Sequence, residues 1–213
     1  MTRVMLGAVV GALVLVGCNS GGDTPPEENQ VRVQVVDGNY GVTFEYLTVP
    51  TFTPQRTALT EFPQSVAEGA MLAAINAERA RGGVCPTGSF PAARPLQFEA
   101  HLHRAATLYG RELVTAGKME LPHRSRVDNR VPSQRMVDAG YRPVPPSRVQ
   151  WVFGESLAAG TDLTSPAEVI AAWKGSAGHC AALFENIGNG AVARVDGAAG
   201  TFWVLNIAGW ENE

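Results

Sequence analysis

Lysine is almost missing from this chain: Lys118 and Lys174 are the only two in 213 residues, and no lysine-rich run exists. With a formal net charge of −3 and a pI near 5.8, the chain lacks a phosphate-neutralising basic patch, so nucleic acid is not an expected partner. No CxxC pair and no glycine loop of the phosphate-cradling kind occurs, which removes zinc-ribbon and nucleotide readings. No apolar run reaches the ~20 residues that a membrane-spanning helix needs. Charged residues are scarce at 17%, but hydrophobic residues reach 45%, the balance of a globular chain and not of a disordered one. The length fits one domain with appendages and suffices for a sizeable core.

What is present begins at the N-terminus. Arg3 supplies a short positive region, and Val4 to Val16 is apolar apart from glycines, which reads as a signal-peptide core over residues 1–17. It ends in Leu15-Val16-Gly17-Cys18, which resembles the lipobox of bacterial lipoproteins. That resemblance implies a diacylated Cys18 as the mature N-terminus, with the membrane as a partner through its acyl chains. The competing reading is an ordinary signal peptide that happens to contain a cysteine. Acyl chains anchor a protein stably, at ~0.8 kcal/mol per buried methylene. The resemblance places the protein in the bacterial cell envelope. Asn19, in place of an aspartate, points to the outer membrane if the host has one. Two cysteines remain, Cys85 and Cys180; in an oxidising compartment an even remainder favours one disulfide over two buried free thiols.

Residues 18–30 are polar, with Gly and Pro, and read as a tether. Residues 31–63 form an N-terminal extension. In it Val31, Val33 and Val35, then Val42, Phe44 and Tyr46, alternate on either side of Asp37-Gly38-Asn39, the pattern of a hairpin. The main domain is expected over 64–213. A helix is predicted from Gln64 to Arg81 on Ala67, Met71, Leu72, Ala74 and Ile75, stopped by Gly82-Gly83. A second should run from Gln97 to Ala116 on Leu102, Ala105, Ala106, Tyr109 and Leu113, capped by Gly117. A short helix from Ser133 to Ala139 and a strand from Val149 to Phe153 follow. Ser165, Pro166 and Glu168 mark a further helix start by a capping box, with Val169, Ile170 and Trp173 as its buried face. Two strands, Ala191 to Val195 and Phe202 to Ala208, are expected to join across Asp196-Gly197. Phe202-Trp203-Val204-Leu205 is apolar on both faces, as a central strand covered on both sides would be. The fold class expected is α/β, a three-layer α-β-α sandwich.

Short motifs in order then carry a resemblance to the CAP superfamily, the fold of cysteine-rich secretory, pathogenesis-related and SCP-like proteins. They are Asn76-Ala77-Glu78-Arg79, Leu121-Pro122-His123-Arg124-Ser125, Arg135 with Ala139-Gly140-Tyr141, and Gly154-Glu155-Ser156-Leu157. Trp173-Lys174-Gly175-Ser176-Ala177-Gly178-His179, Ile187-Gly188-Asn189-Gly190 and Phe202-Trp203-Val204-Leu205 complete the set, which spans Gln64 to Gly209. The resemblance implies a cavity lined by His123, Glu155, Ser176 and His179. His123 and His179 are then the candidate ligands of zinc or another divalent cation, with Glu155 orienting a water or acting as a base. Many eukaryotic members carry a second glutamate where this chain has Ser176, so any metal is expected to be held weakly.

Bland roles compete. His123 could bond a loop carbonyl, His179 could end the preceding helix, and Glu155 could bond loop amides. His101 and His103, two apart on a helix, face different ways and read as surface or boundary residues. Neither Ser156 nor Ser176 sits in a nucleophile elbow. Trp151, Trp173, Trp203 and Trp210 read as core and rim packing. The leading functional expectation is a non-enzymatic module binding a lipid, another small molecule or a protein. A metal-dependent, peptidase-like hydrolase and a purely structural envelope protein are the rivals.

Overall fold

The computed structural model describes residues 12–14, 30–37, 41–48, 54–141 and 151–210. Cys18, the rest of the lipobox and nearly all of the tether lie outside the described residues. In chain order the first elements are β1 (Ala12–Val14), β2 (Gln30–Asp37), β3 (Gly41–Thr48), α1 (Val66–Arg81), β4 (Gly83–Cys85), β5 (Gly88–Phe90) and β6 (Gln97–Phe98). There follow α2 (Ala100–Thr115), α3 (Pro132–Asp138), β7 (Trp151–Gly160), α4 (Pro166–Lys174), α5 (Ala177–Leu183), β8 (Asn189–Gly197) and β9 (Gly200–Trp210). β2 and β3 pair antiparallel from Gln30↔Thr48 to Asp37↔Gly41. Among the described residues no helix is long and apolar enough to cross a membrane.

The main sheet has the order β1-β7-β9-β8-β6, antiparallel except where β6 joins β8; its edge strand β1 falls within residues 1–17, the stretch expected as a signal-peptide core, so cleavage before Cys18 would leave β7 as the edge. β9 lies at its centre, and its alternation divides the core. Trp203, Leu205 and Ile207 pack with Met71, Ile75, Val169, Trp173 and Leu183 of α1, α4 and α5. Phe202 and Val204 pack with Ala106, Tyr109 and Leu113 of α2, and Ala208 packs with Leu102 and with Met136 of α3. Successive side chains on a strand point to opposite faces, so an all-apolar run is buried only where helices cover both faces. Each large apolar side chain so buried contributes about 1.5–3 kcal/mol.

Local chemistry sets the helix ends. Ser65 and Glu68 form the capping box of α1, which therefore starts at Val66 and not at Gln64. Gly82 ends it at φ 68°, where a Cβ would meet the Phe90 carbonyl oxygen at 2.6 Å. α2 begins three residues later than expected because Gln97 and Phe98 are spent on β6, and Glu99 caps the helix by accepting from the Leu102 amide at 2.8 Å. The capping box of Ser165 and Glu168 starts α4 at Pro166. The β8–β9 turn lies beyond the expected Asp196-Gly197: Gly197 pairs with Gly200, whose φ of 139° the turn requires, and Asp196 accepts from Thr201 at 2.7 Å.

Three connections fix the chain around α1. Asn76 exchanges two hydrogen bonds with the Leu96 backbone, at 2.9 and 2.7 Å, which positions β6. Arg79 is fully buried, and its guanidinium donates to the carbonyls of Arg94, Leu183, Glu185 and Ile187 at 2.7–2.9 Å. Burial pushes that guanidinium down to about 10, still charged at neutral pH. Cys85 and Cys180 form a disulfide across 95 positions, joining β4 to α5. Closing a loop of that length stabilises by up to ~4.7 kcal/mol in the chain-entropy model.

Candidate functional site

β7 is longer than expected, so Glu155 stands in mid-strand opposite Asn206 of β9. Its side chain shares parity with Phe153 and Leu157 and points toward α2 and α3. Glu155 is 1% exposed, and both of its oxygens are engaged by side chains. Oε1 accepts from His123 Nδ1 at 2.9 Å, and Oε2 accepts from Arg135 Nη2 at 2.6 Å. Arg135, on α3, also donates through Nη1 to the carbonyls of His123 and Arg130, both at 2.8 Å. Its guanidinium lies 3.6 Å from the centre of the Tyr109 ring, and the Tyr109 hydroxyl donates to the Pro122 carbonyl. Burial, with Glu155 close by, pushes that phenol up and keeps it a donor. The turn that carries His123 is thus held from α2, α3 and β7 together.

Burial opposes the charge on Glu155, but Arg135 and His123 outweigh it and hold the carboxyl below the usual range. An ionised, doubly bonded carboxylate is a poor general base, because a base works best with a pKa near the operating pH. Nδ1 of His123 is committed to Glu155, and Nε2 is buried with no partner among the described residues.

His179 faces it. The two rings lie 5.8 Å apart, centre to centre, tilted by 57°. His179 is in the first turn of α5 and not at the end of α4; it is 0% exposed, and neither ring nitrogen has a partner among the described residues. Burial, reinforced by His123, pushes its pKa down to about 4, so the ring is neutral at pH 7. The neighbouring Cys180 is crosslinked to β4, which pins this turn. Ser176 occupies the N-cap of α5, one turn before His179, with no side-chain cap bond.

The structure therefore joins His123 to Glu155 and sets His179 against His123. It also brings in Arg135 and Tyr109, which sequence reasoning assigned only to a motif and to a helix stripe. The available signal was a single arginine in the middle of a short helix whose other charge, Asp138, is at its end. His103, expected near the surface, is 1% exposed: its Nε2 lies 3.3 Å from Glu68, and its ring lies 5.6 Å from Phe98. His101 is half-buried and bonds Glu99 at 2.8 Å. Trp173 and Trp203 are core residues, while the side chains of Trp151 and Trp210 lie outside the described residues.

For a metal, the donor set is the two imidazoles. Glu155 is consumed by Arg135 and His123, and among the described residues no group of three or more His, Cys, Asp or Glu side chains is placed to hold a metal ion. A closed tetrahedral zinc site needs four such ligands and a catalytic one needs three, so the residues do not build either. Compared with family models, with curated proteins and with solved structures, the chain matches none.

Proposed function

We propose that this chain is an extracytoplasmic binding module of the CAP superfamily type, a three-layer α-β-α sandwich tethered to the bacterial envelope through a lipidated Cys18. Its ligand, on this reading, is a lipid, another small molecule or a protein segment received at the histidine pair. The helices on both faces of β9 and the order of the short motifs support the fold assignment. The observation that carries the function is the set of three buried imidazole nitrogens, His123 Nε2 with both of His179, that have no partner among the described residues and belong to two adjacent rings. A buried polar atom left unsatisfied costs about 1–3 kcal/mol, so such a cluster is retained where a ligand uses it.

A second reading is favoured by one feature. A histidine whose Nδ1–H is fixed by a carboxylate presents a basic Nε2, the usual arrangement around a metal-bound imidazole. His123 and His179 would then hold zinc or another divalent cation weakly, the remaining positions going to water or substrate, as in a peptidase-like hydrolase. Glu155 would orient His123 in that case and not serve as the base.

Native mass spectrometry of the full-length protein taken gently from membranes separates the two. The binding reading expects a co-purifying molecule that is lost in His123→Ala and in His179→Ala. Stoichiometric zinc, with peptide or ester hydrolysis abolished by chelation, would establish the hydrolase instead. The same spectra test the tether, because the mature chain must start at Cys18 and carry acyl mass.

A further inference from the structure

A cavity lined in part by Arg135 lies away from the histidine pair, and we propose that it binds an organic anion with an apolar body, a carboxylate or phosphate monoester on an alkyl or aryl group. The cavity encloses about 670 Å³ between α2, α3 and the 126–130 turn. That falls within the ~300–1,000 Å³ typical of small-molecule sites.

Its charges are not balanced. The acids of the lining are all spent internally. Glu112 accepts from the Ser125 hydroxyl at 2.9 Å and the Arg126 amide at 2.8 Å. Asp128 and Asp138 both hold Arg130, at 2.7 and 2.6 Å. Arg126 is taken by Glu120, and Arg135 by Glu155. Arg104 and Arg111 remain, with no carboxylate partner among the described residues. Among the described residues Arg104 Nε is buried without a partner, and its Nη1 reaches the Ala139 carbonyl at 3.5 Å.

The two guanidiniums come seven residues apart on one face of α2 and share one aromatic ring, Phe62, at 5.7 and 5.4 Å from its centre. Two guanidiniums that line one cavity without a carboxylate partner are compensated by an anion there, through charge-assisted hydrogen bonds. Beside them stand two of the exposed large apolar residues, Leu108 (45%) and Val127 (80%), which also line the cavity. Cationic head and apolar lip together select an amphiphilic anion over a bare one. This site shares no ligand atom with the histidine pair.

Calorimetry on the purified full-length protein tests this with octanoate, octyl phosphate, 1-octanol and inorganic phosphate. The expected result is saturable binding of one or both octyl anions, with octanol and inorganic phosphate at least about tenfold weaker. The tighter of the two octyl anions identifies a carboxylate or a phosphate head as the natural one. Arg104→Gln with Arg111→Gln should weaken binding by about tenfold or more. Val127→Asp, at an exposed position that cannot disturb the core, should weaken it as well, while His123→Ala should leave it intact. Octanol binding as tightly as octanoate, inorganic phosphate as tightly as octyl phosphate, an unchanged affinity in the double arginine variant, or no saturable binding would each overturn the proposal.

Discussion

Of the buried glutamates that stand beside a histidine, Glu68 and Glu155 hold different things. Glu68 holds backbone: its carboxylate accepts from the amides of Ser65 at 2.6 Å and Arg194 at 2.9 Å, stitching the start of α1 to β8, with His103 Nε2 at 3.3 Å. Glu155 holds side chains only, His123 on one oxygen and Arg135 on the other. In both places burial works against the charge and the partners overcome it, so both carboxyls sit below their usual range. The consequence differs. Removing Glu68 unties secondary structure, whereas removing Glu155 frees an imidazole and a guanidinium whose other contacts lead to His179 and to the turn at 122–123. The first pair reads as construction and the second as an oriented site.

The largest break in this comparison should come from Arg135→Leu. It leaves Glu155 charged and buried beside only a histidine, and stripping one partner from a buried ion pair costs about 3–5 kcal/mol. Urea denaturation should show that loss, and Arg135→Leu with Glu155→Leu should recover most of it, because the uncompensated charge is then gone. Next in size, loss of the disulfide in Cys85→Ala with Cys180→Ala should destabilise by about 2–4 kcal/mol. Hydrogen exchange should rise in α5 and β4, around His179, and stay slow where Glu68 ties α1 to β8. Glu68→Ala is expected to cost about 1–3 kcal/mol through the lost cap and the orphaned Arg194 amide. It should leave His123 and His179 undisturbed, read from their side-chain NMR signals. An equal disturbance at both pairs would erase the distinction drawn between them.

Much of the frame was legible because its signals are local. The capping box at Ser165 and the apolar stripe of α2 need only a few neighbouring residues to be recognised. The two-residue strand β6 was not legible, since its partner, β8, lies some ninety positions away and a parallel pair has no turn to announce it. The burial of His103 was half legible: spacing from His101 put the two on different faces of α2, but only the approach of Glu68 shows which face is inside. At the candidate site, motif order pointed to His123, Glu155 and His179. The role of Arg135 depends on a contact with Glu155 that crosses from α3 to the sheet, and no spacing rule reports such a contact. Cys85 and Cys180 could be paired by counting alone.

Acidity separates the histidines further. The folded pKa of His179 is depressed to about 4 from the ordinary 6.5, so its neutral, buried state contributes stability in full above about pH 6.5. That contribution, at most about 3 kcal/mol, is lost as pH falls toward 4. The acid side of the stability curve should therefore slope through this window and flatten in a variant without an imidazole at position 179.

The unsatisfied nitrogens of His179 are the centre of the account, and the stability of His179→Leu at pH 7 tests them most directly. If the imidazole is kept for a ligand and not for the fold, exchanging it for an apolar side chain of similar size removes buried polar atoms that no protein group satisfies. Equilibrium urea unfolding should then show a protein as stable as the parent, or more stable by about 1 kcal/mol. A loss of about 2 kcal/mol or more would mean that His179 is a structural residue, and the binding-site assignment would be contradicted.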